Sequence, residues 1–64
     1  MITGSVKVWE QIKGWGFISG DDGEDYFFHI NNIRPGQKIH EDTRVKFDSQ
    51  EGQRGLQAIN VTKY

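Results

Sequence analysis

The sequence predicts an all-β fold, a five-stranded antiparallel Greek-key barrel formed by one short chain. Three observations lead there. Five separate runs place apolar residues at alternate positions. Turn-forming residues fall between those runs. No window carries a sustained helical period, and closing short strands into a barrel removes edges that an open sheet must protect.

Each strand follows from its own pattern. "GSVKVWE" (4–10) alternates, with Val6 and Val8 on one side and Lys7 and Trp9 on the other. "WGFIS" (15–19) sets Trp15 and Phe17 against Ile18, and "DYFFHI" (25–30) sets Tyr26, Phe28 and Ile30 against Phe27 and His29. "TRVKFDS" (43–49) opposes Val45 and Phe47 to Arg44 and Lys46, while "LQAINVTK" (56–63) puts Ile59 and Val61 on one parity. Turns are expected over 20–25, 31–36 and 51–55. One short helical turn fits ahead of Pro35, which disfavours helix in the residue before it. The expected core is Val6, Ile18, Phe28, Val45, Phe47, Ile59 and Val61.

Composition narrows the function classes. A chain of 64 residues forms a single domain, residues 1–64, and one this short buries only about 60% of its unfolded surface. It has no cysteine to staple it. His29 and His40 are too few to form a metal cage, so neither metal nor cofactor is expected. The opening "MITGSVKVWE" lacks a basic start followed by an apolar run, and no segment approaches the length of a membrane helix. A cytoplasmic protein with no membrane and no small-molecule substrate is expected. The net charge of -1 is too low for a generic nucleic-acid coat. Its distribution says more: acids crowd the turn Asp21–Asp25, and Lys7, Lys13 and Arg54 stand apart from them.

With the core assigned, Trp15, Phe17, Phe27 and His29 remain on the opposite faces of two strands joined by a hairpin. Same-face neighbours across paired strands lie about 4.5–5.5 Å apart at Cβ, so a contiguous aromatic patch follows. Pattern alone leaves two readings of it open, a surface covered by a loop or second subunit and a surface for a flat ligand. Gly14 and Gly16 favour the ligand, since strand glycines often mark close approach by a ligand or another backbone. Rings flanked by cations such as Lys13 suit single-stranded nucleic acid, whose bases stack while Lys and Arg follow the phosphates.

These residues resemble the cold-shock domain family over essentially the whole chain. "KGWGFI" (13–18) is similar to its first ribonucleoprotein motif, "YFFHI" (26–30) to its second, and "EGQRGLQAINVTK" (51–63) to its last loop and strand. The resemblance implies a barrel of the oligonucleotide/oligosaccharide-binding type. It implies loose, stacking-based binding of single-stranded RNA and DNA, with roles as an RNA chaperone or antiterminator in stress. By position, Lys7, Lys13, Trp15, Phe17, Phe27 and His29 would form the binding platform, with Asp25 and Arg54 at its edges.

The departures are as informative. Val8 stands where the family usually has tryptophan, Trp9 where it has phenylalanine, and Ile30 where it has another ring. The segment "NNIRPGQKIHEDT" is short and lacks an aromatic, leaving Arg34 and Lys38 to offer charge instead. Trp9 shares parity with Lys7 on the outer face, unless a bulge near Glu10 turns it inward. Each stacking ring is worth about 1–3 kcal/mol, so binding weaker than the family norm, over fewer bases, is expected. A protein-interaction module on the same barrel is the alternative. No nucleophile or paired carboxylate completes a catalytic set around His29, so no enzyme is expected. The acidic turn lacks the length and spacing of a calcium loop and reads as a solvated connector. A monomer is the expected state, with strand exchange between two copies as the other.

Overall fold

The computed structural model describes residues 1–64. It contains five strands, β1 (Ile2–Glu10), β2 (Trp15–Gly20), β3 (Asp25–His29), β4 (Arg44–Gly52) and β5 (Gly55–Lys63). A single 3-10 turn, Ile30–Asn32, follows β3, in the segment where one helical turn is expected. The strands close into a barrel in the order β1-β2-β3-β5-β4. Neighbours pair antiparallel except β3 and β5, which meet in parallel at Phe27 and Gln57. That short parallel contact completes the closure and qualifies the purely antiparallel expectation.

Six of the seven expected core residues are sealed inside: Val6, Ile18, Phe28, Val45, Phe47 and Val61 are each at most 1% exposed. Tyr26, Ile39 and Ala58 join them. Ile59 is the correction: it is only half-buried, and Ala58 takes the inward place. The cause is a bulge. Asn60 and Val61 together oppose Phe47, because Lys46 pairs with Thr62 and Asp48 with Ile59. Asn60 takes a left-handed φ of 55°, so the side-chain alternation shifts by one residue there. Inward positions become Ala58 and Val61, three residues apart.

A second bulge reorganises β1. Val6 pairs with Ile18 and Val8 with Phe17, leaving Lys7 as the extra residue. Beyond it Val8 shares the outer face with Phe17, and Trp9 faces inward opposite Gly16. The Trp9 ring stacks on core Phe28 at 5.2 Å between centroids and 8° between planes. The parity expectation for Trp9 therefore fails, and the bulge that turns it inward lies at Lys7 instead of Glu10.

This packing also explains Gly16. A Cβ there would collide with the Val8 carbonyl oxygen and come within 3.0 Å of both the Trp9 and Phe28 rings. Gly14 has φ +78° in the turn between β1 and β2, a region open to glycine at little cost. Both glycines serve backbone approach and ring packing, so they lend no support to a ligand.

Two polar clusters close the hairpin end. Arg44 donates to both Asp21 carboxylate oxygens at 3.0 and 2.6 Å, and Thr3 donates to Oδ2 at 2.6 Å. These hydrogen bonds, Arg44's first, lower the Asp21 pKa to about 2. The Tyr26 hydroxyl donates to Asp22 Oδ2. That bond, aided by burial, pushes the Tyr26 pKa up to about 12 and lowers that of Asp22.

Candidate nucleic-acid interface

The outer face of β2 and β3 carries the ring cluster. Cross-strand pairing sets Trp15 against His29 and Phe17 against Phe27. Phe17 and Phe27 meet edge-to-face at 5.4 Å, and Trp15 and Phe27 stack at 6.4 Å and 23°. Trp15 meets Phe17 edge-on at 6.0 Å, and His29 meets Phe27 at 4.8 Å. The strand register thus produces one continuous aromatic surface, with Phe27 at its centre. Such edge-to-face and offset contacts are favourable in their own right, so the surface holds its shape without a ligand.

Phe27 is not open as the alternation implies. It is only 6% exposed, because its neighbours crowd it and the Arg54 guanidinium lies over its ring, 5.0 Å from the centroid. Arg54 arrives from the β4–β5 turn, which Gly52 and Gly55 flank. A hollow of about 210 Å³ opens beside this ring between His29, Gln57 and the turn. Gln57 is a residue that the strand pattern does not single out. The parallel bridge to Phe27 brings it there, and Asn32 orients it. Asn32 Oδ1 accepts the His29 backbone N–H at 2.9 Å and Gln57 Nε2 at 3.2 Å. No local signal announces this arrangement, which joins residues from β3, the 3-10 turn and β5.

The charged candidates divide into groups. Lys7 sits on the β1 bulge, with Nζ 3.4 Å from Asp25 Oδ2, and both side chains are more than half exposed. An exposed pair of that kind is worth under about 1 kcal/mol, and either partner can exchange it for a phosphate or a base edge. Lys13 forms no ion pair and stands at the entrance of β2 beside Trp15. Of these charged residues, Arg54 lies over Phe27, and Asp25, paired with Lys7, opens the strand that carries Phe27 and His29.

The remaining candidates lie elsewhere. Trp9, Ile30, Arg34 and Lys38 line a separate groove of about 560 Å³ beneath the 31–42 segment, rather than the ring surface. The replacement of a family ring by Ile30 leaves a half-exposed aliphatic residue at the boundary between the two. Arg34 and Lys38 are exposed and without ion-pair partners.

Comparison with known proteins agrees with this architecture. The chain is 45% identical over 65 residues to the major cold shock protein of Streptococcus pyogenes, covering 98% of this chain and 97% of that one. It is 42% identical over 66 residues to the major cold shock protein of Micrococcus luteus, covering 98% of each. It is 41% identical over 63 residues to cold shock protein 2 of Lactiplantibacillus plantarum, covering 95% of this chain and 96% of that one. Its fold resembles the solved structure of drosophila Unr CSD456 at a TM-score of 0.81 and 22% identity, covering 98% of this chain and 26% of that one. The 'Cold-shock' DNA-binding domain matches residues 2–64. The chain belongs to the cold-shock domain family of nucleic-acid-binding proteins.

Proposed function

We propose that this protein binds single-stranded RNA and DNA with little sequence preference, by stacking unpaired bases on Trp15, Phe17, Phe27 and His29. The observation that carries this reading is the continuity of those four rings on one outer face. Flat rings accept any base, since every base has a π-face. Lys13, and Lys7 once released from Asp25, would follow the phosphates. A base reaches Phe27 only after Arg54 leaves its ring, and the glycines flanking that turn allow the movement. The released guanidinium is then free for a phosphate. Gln57 lies beside the vacated ring and can hydrogen-bond a base edge. Holding bases apart in this way opposes hairpins and makes the protein an RNA chaperone.

Three family ring positions carry no ring here: Val8, beside Phe17 on the outer face, and Ile30 are aliphatic, and the short loop has no aromatic. The proposed site is therefore compact. Affinity should fall with salt, but with a shallow slope, because few cations meet phosphate. Titrating short oligothymidine and following Trp fluorescence tests the reading. Trp15 should report and Trp9 should not, so a Trp9→Phe variant retains the quenching and a Trp15→Phe variant loses it. Absence of quenching at high micromolar oligonucleotide in low salt would overturn the proposal. Opening of a fluorophore-labelled RNA hairpin tests the chaperone role.

A further inference from the structure

Arg54 is a cation whose partner is a ring. Its guanidinium lies 5.0 Å from the Phe27 centroid. Both ion pairs of the chain, Lys7 with Asp25 and Arg44 with Asp21, leave it out. No carboxylate lines the hollow of about 210 Å³ beside it. The residue is exposed and sits on a two-residue turn closed by the pair Gly52 and Gly55. Gly55 has φ +100°, and a Cβ there would meet nothing within 4 Å. The turn therefore packs on little, and the ring is the contact that holds the guanidinium. Phe27, the centre of the aromatic surface, is only 6% exposed beneath it.

A cation on a ring face is a removable cover with a chemical condition attached. A flat ligand that stacks on Phe27 must displace it, forfeiting a contact worth about two- to fivefold in affinity at an exposed site. An uncharged ligand offers the freed guanidinium nothing in return. A nucleotide strand does, because it carries a phosphate beside each base. Arginine binds phosphate through short, charge-assisted and often bidentate hydrogen bonds. Displacement by a strand thus exchanges a weaker partner for a stronger one.

Resting on the stacking reading above, we propose that Arg54 is a specificity-determining cap. It occupies Phe27 in the free protein, yields the ring to flat ligands that bring a phosphate, and disfavours uncharged ones. The site then selects a charged strand over free nucleosides and other neutral aromatic molecules. Rings alone do not make that choice, since they accept any π-face.

The test compares the protein with its Arg54→Gln variant against two probes. One is oligothymidine, and the other its methylphosphonate analogue, which keeps the bases and removes the charge. In the free protein, the Arg54 side-chain protons should be shifted upfield by the Phe27 ring. Titrations follow the Trp15 and Phe17 resonances of isotope-labelled protein. Arg54→Gln should bind the uncharged analogue about two- to fivefold more tightly. It should bind oligothymidine more weakly, with the slope of log affinity against log salt shallower by about 0.7. An arginine that only adds charge would leave the analogue unaffected, and one that only completes the surface would lower binding of both probes. Opposite signs for the two probes belong to a cap.

Three results overturn the inference: Arg54 protons without an upfield shift in the free protein, no gain for the uncharged analogue in Arg54→Gln, or tighter oligothymidine binding by that variant. The two proposals fail in distinguishable ways. If oligothymidine does not quench Trp15 of the protein itself, the stacking reading falls and this inference falls with it. Quenching without the gain for the analogue overturns this inference alone.

Discussion

Phe27 and Phe28 are consecutive, chemically identical, and set to opposite tasks. Phe28 points into the barrel and has no exposed surface, with Trp9 stacked on it. Phe27 points out, is covered by neighbouring rings and the exposed Arg54 guanidinium, and is 6% exposed. Nearly equal burial therefore hides a difference in kind. The cover over Phe28 is part of the folded core and cannot leave without unfolding. The cover over Phe27 includes an exposed arginine side chain that can leave at little cost. What separates the core ring from the proposed binding ring is what covers it, more than how well it is covered.

The largest expected effect lies on the inner face. Phe28→Ala should cost about 3–5 kcal/mol of stability, a large share of what so small a domain possesses. Urea denaturation of the free protein measures it, and a loss below 1 kcal/mol would contradict the sealed core. On the outer face, Phe17→Ala should cost about 1–3 kcal/mol of oligothymidine affinity, or roughly tenfold to a hundredfold, with a smaller loss of stability than Phe28→Ala causes. If Phe17→Ala destabilised the protein as much as Phe28→Ala, the division between faces would collapse.

Smaller effects sharpen the comparison at the hairpin end. Tyr26 lies on the inner face, yet its hydroxyl reaches Asp22 at the surface. Its folded pKa of about 12 exceeds the ordinary value of 10.0. The linked stability is thus full below pH 10 and disappears as pH rises through 12. Tyr26→Phe should remove this alkaline dependence and cost about 1 kcal/mol near neutrality, as read by denaturation at several pH values.

Asp21 supplies the acid counterpart. Its pKa is depressed from 3.8 to about 2, so its contribution is full above pH 3.8 and lost as pH falls through 2. Asp21→Asn should flatten that window. The effect is the smallest of the four, because the Arg44 pair is exposed to solvent and salt. Acid unfolding monitored by fluorescence at low and high salt tests it.

The sites differ in how far they can be seen in the chain. The platform was legible because alternation places residues two apart on one face, and the hairpin then fixes which rings meet. Trp15, Phe17, Phe27 and His29 needed nothing beyond this. Trp9 was not legible. One extra residue at Lys7 reverses the parity after it, and the same geometry at Asn60 replaces Ile59 by Ala58 in the core. A bulge is selected by packing against other strands, so the alternation of its own strand carries no sign of it.

Strand number, three of the turns, most of the core and the four outward rings could be read along the chain, because each depends on local periodicity. Family membership was equally visible, through motifs that run along single strands. The closed barrel alone reveals that Trp9 belongs to the core stack, that Arg54 covers Phe27, and that Gln57 stands beside it. It alone set Trp9 beside the groove that Ile30, Arg34 and Lys38 line. Each of these joins residues far apart in the chain, and such contacts exist only once bulges, a parallel bridge and barrel closure have set the strands against one another.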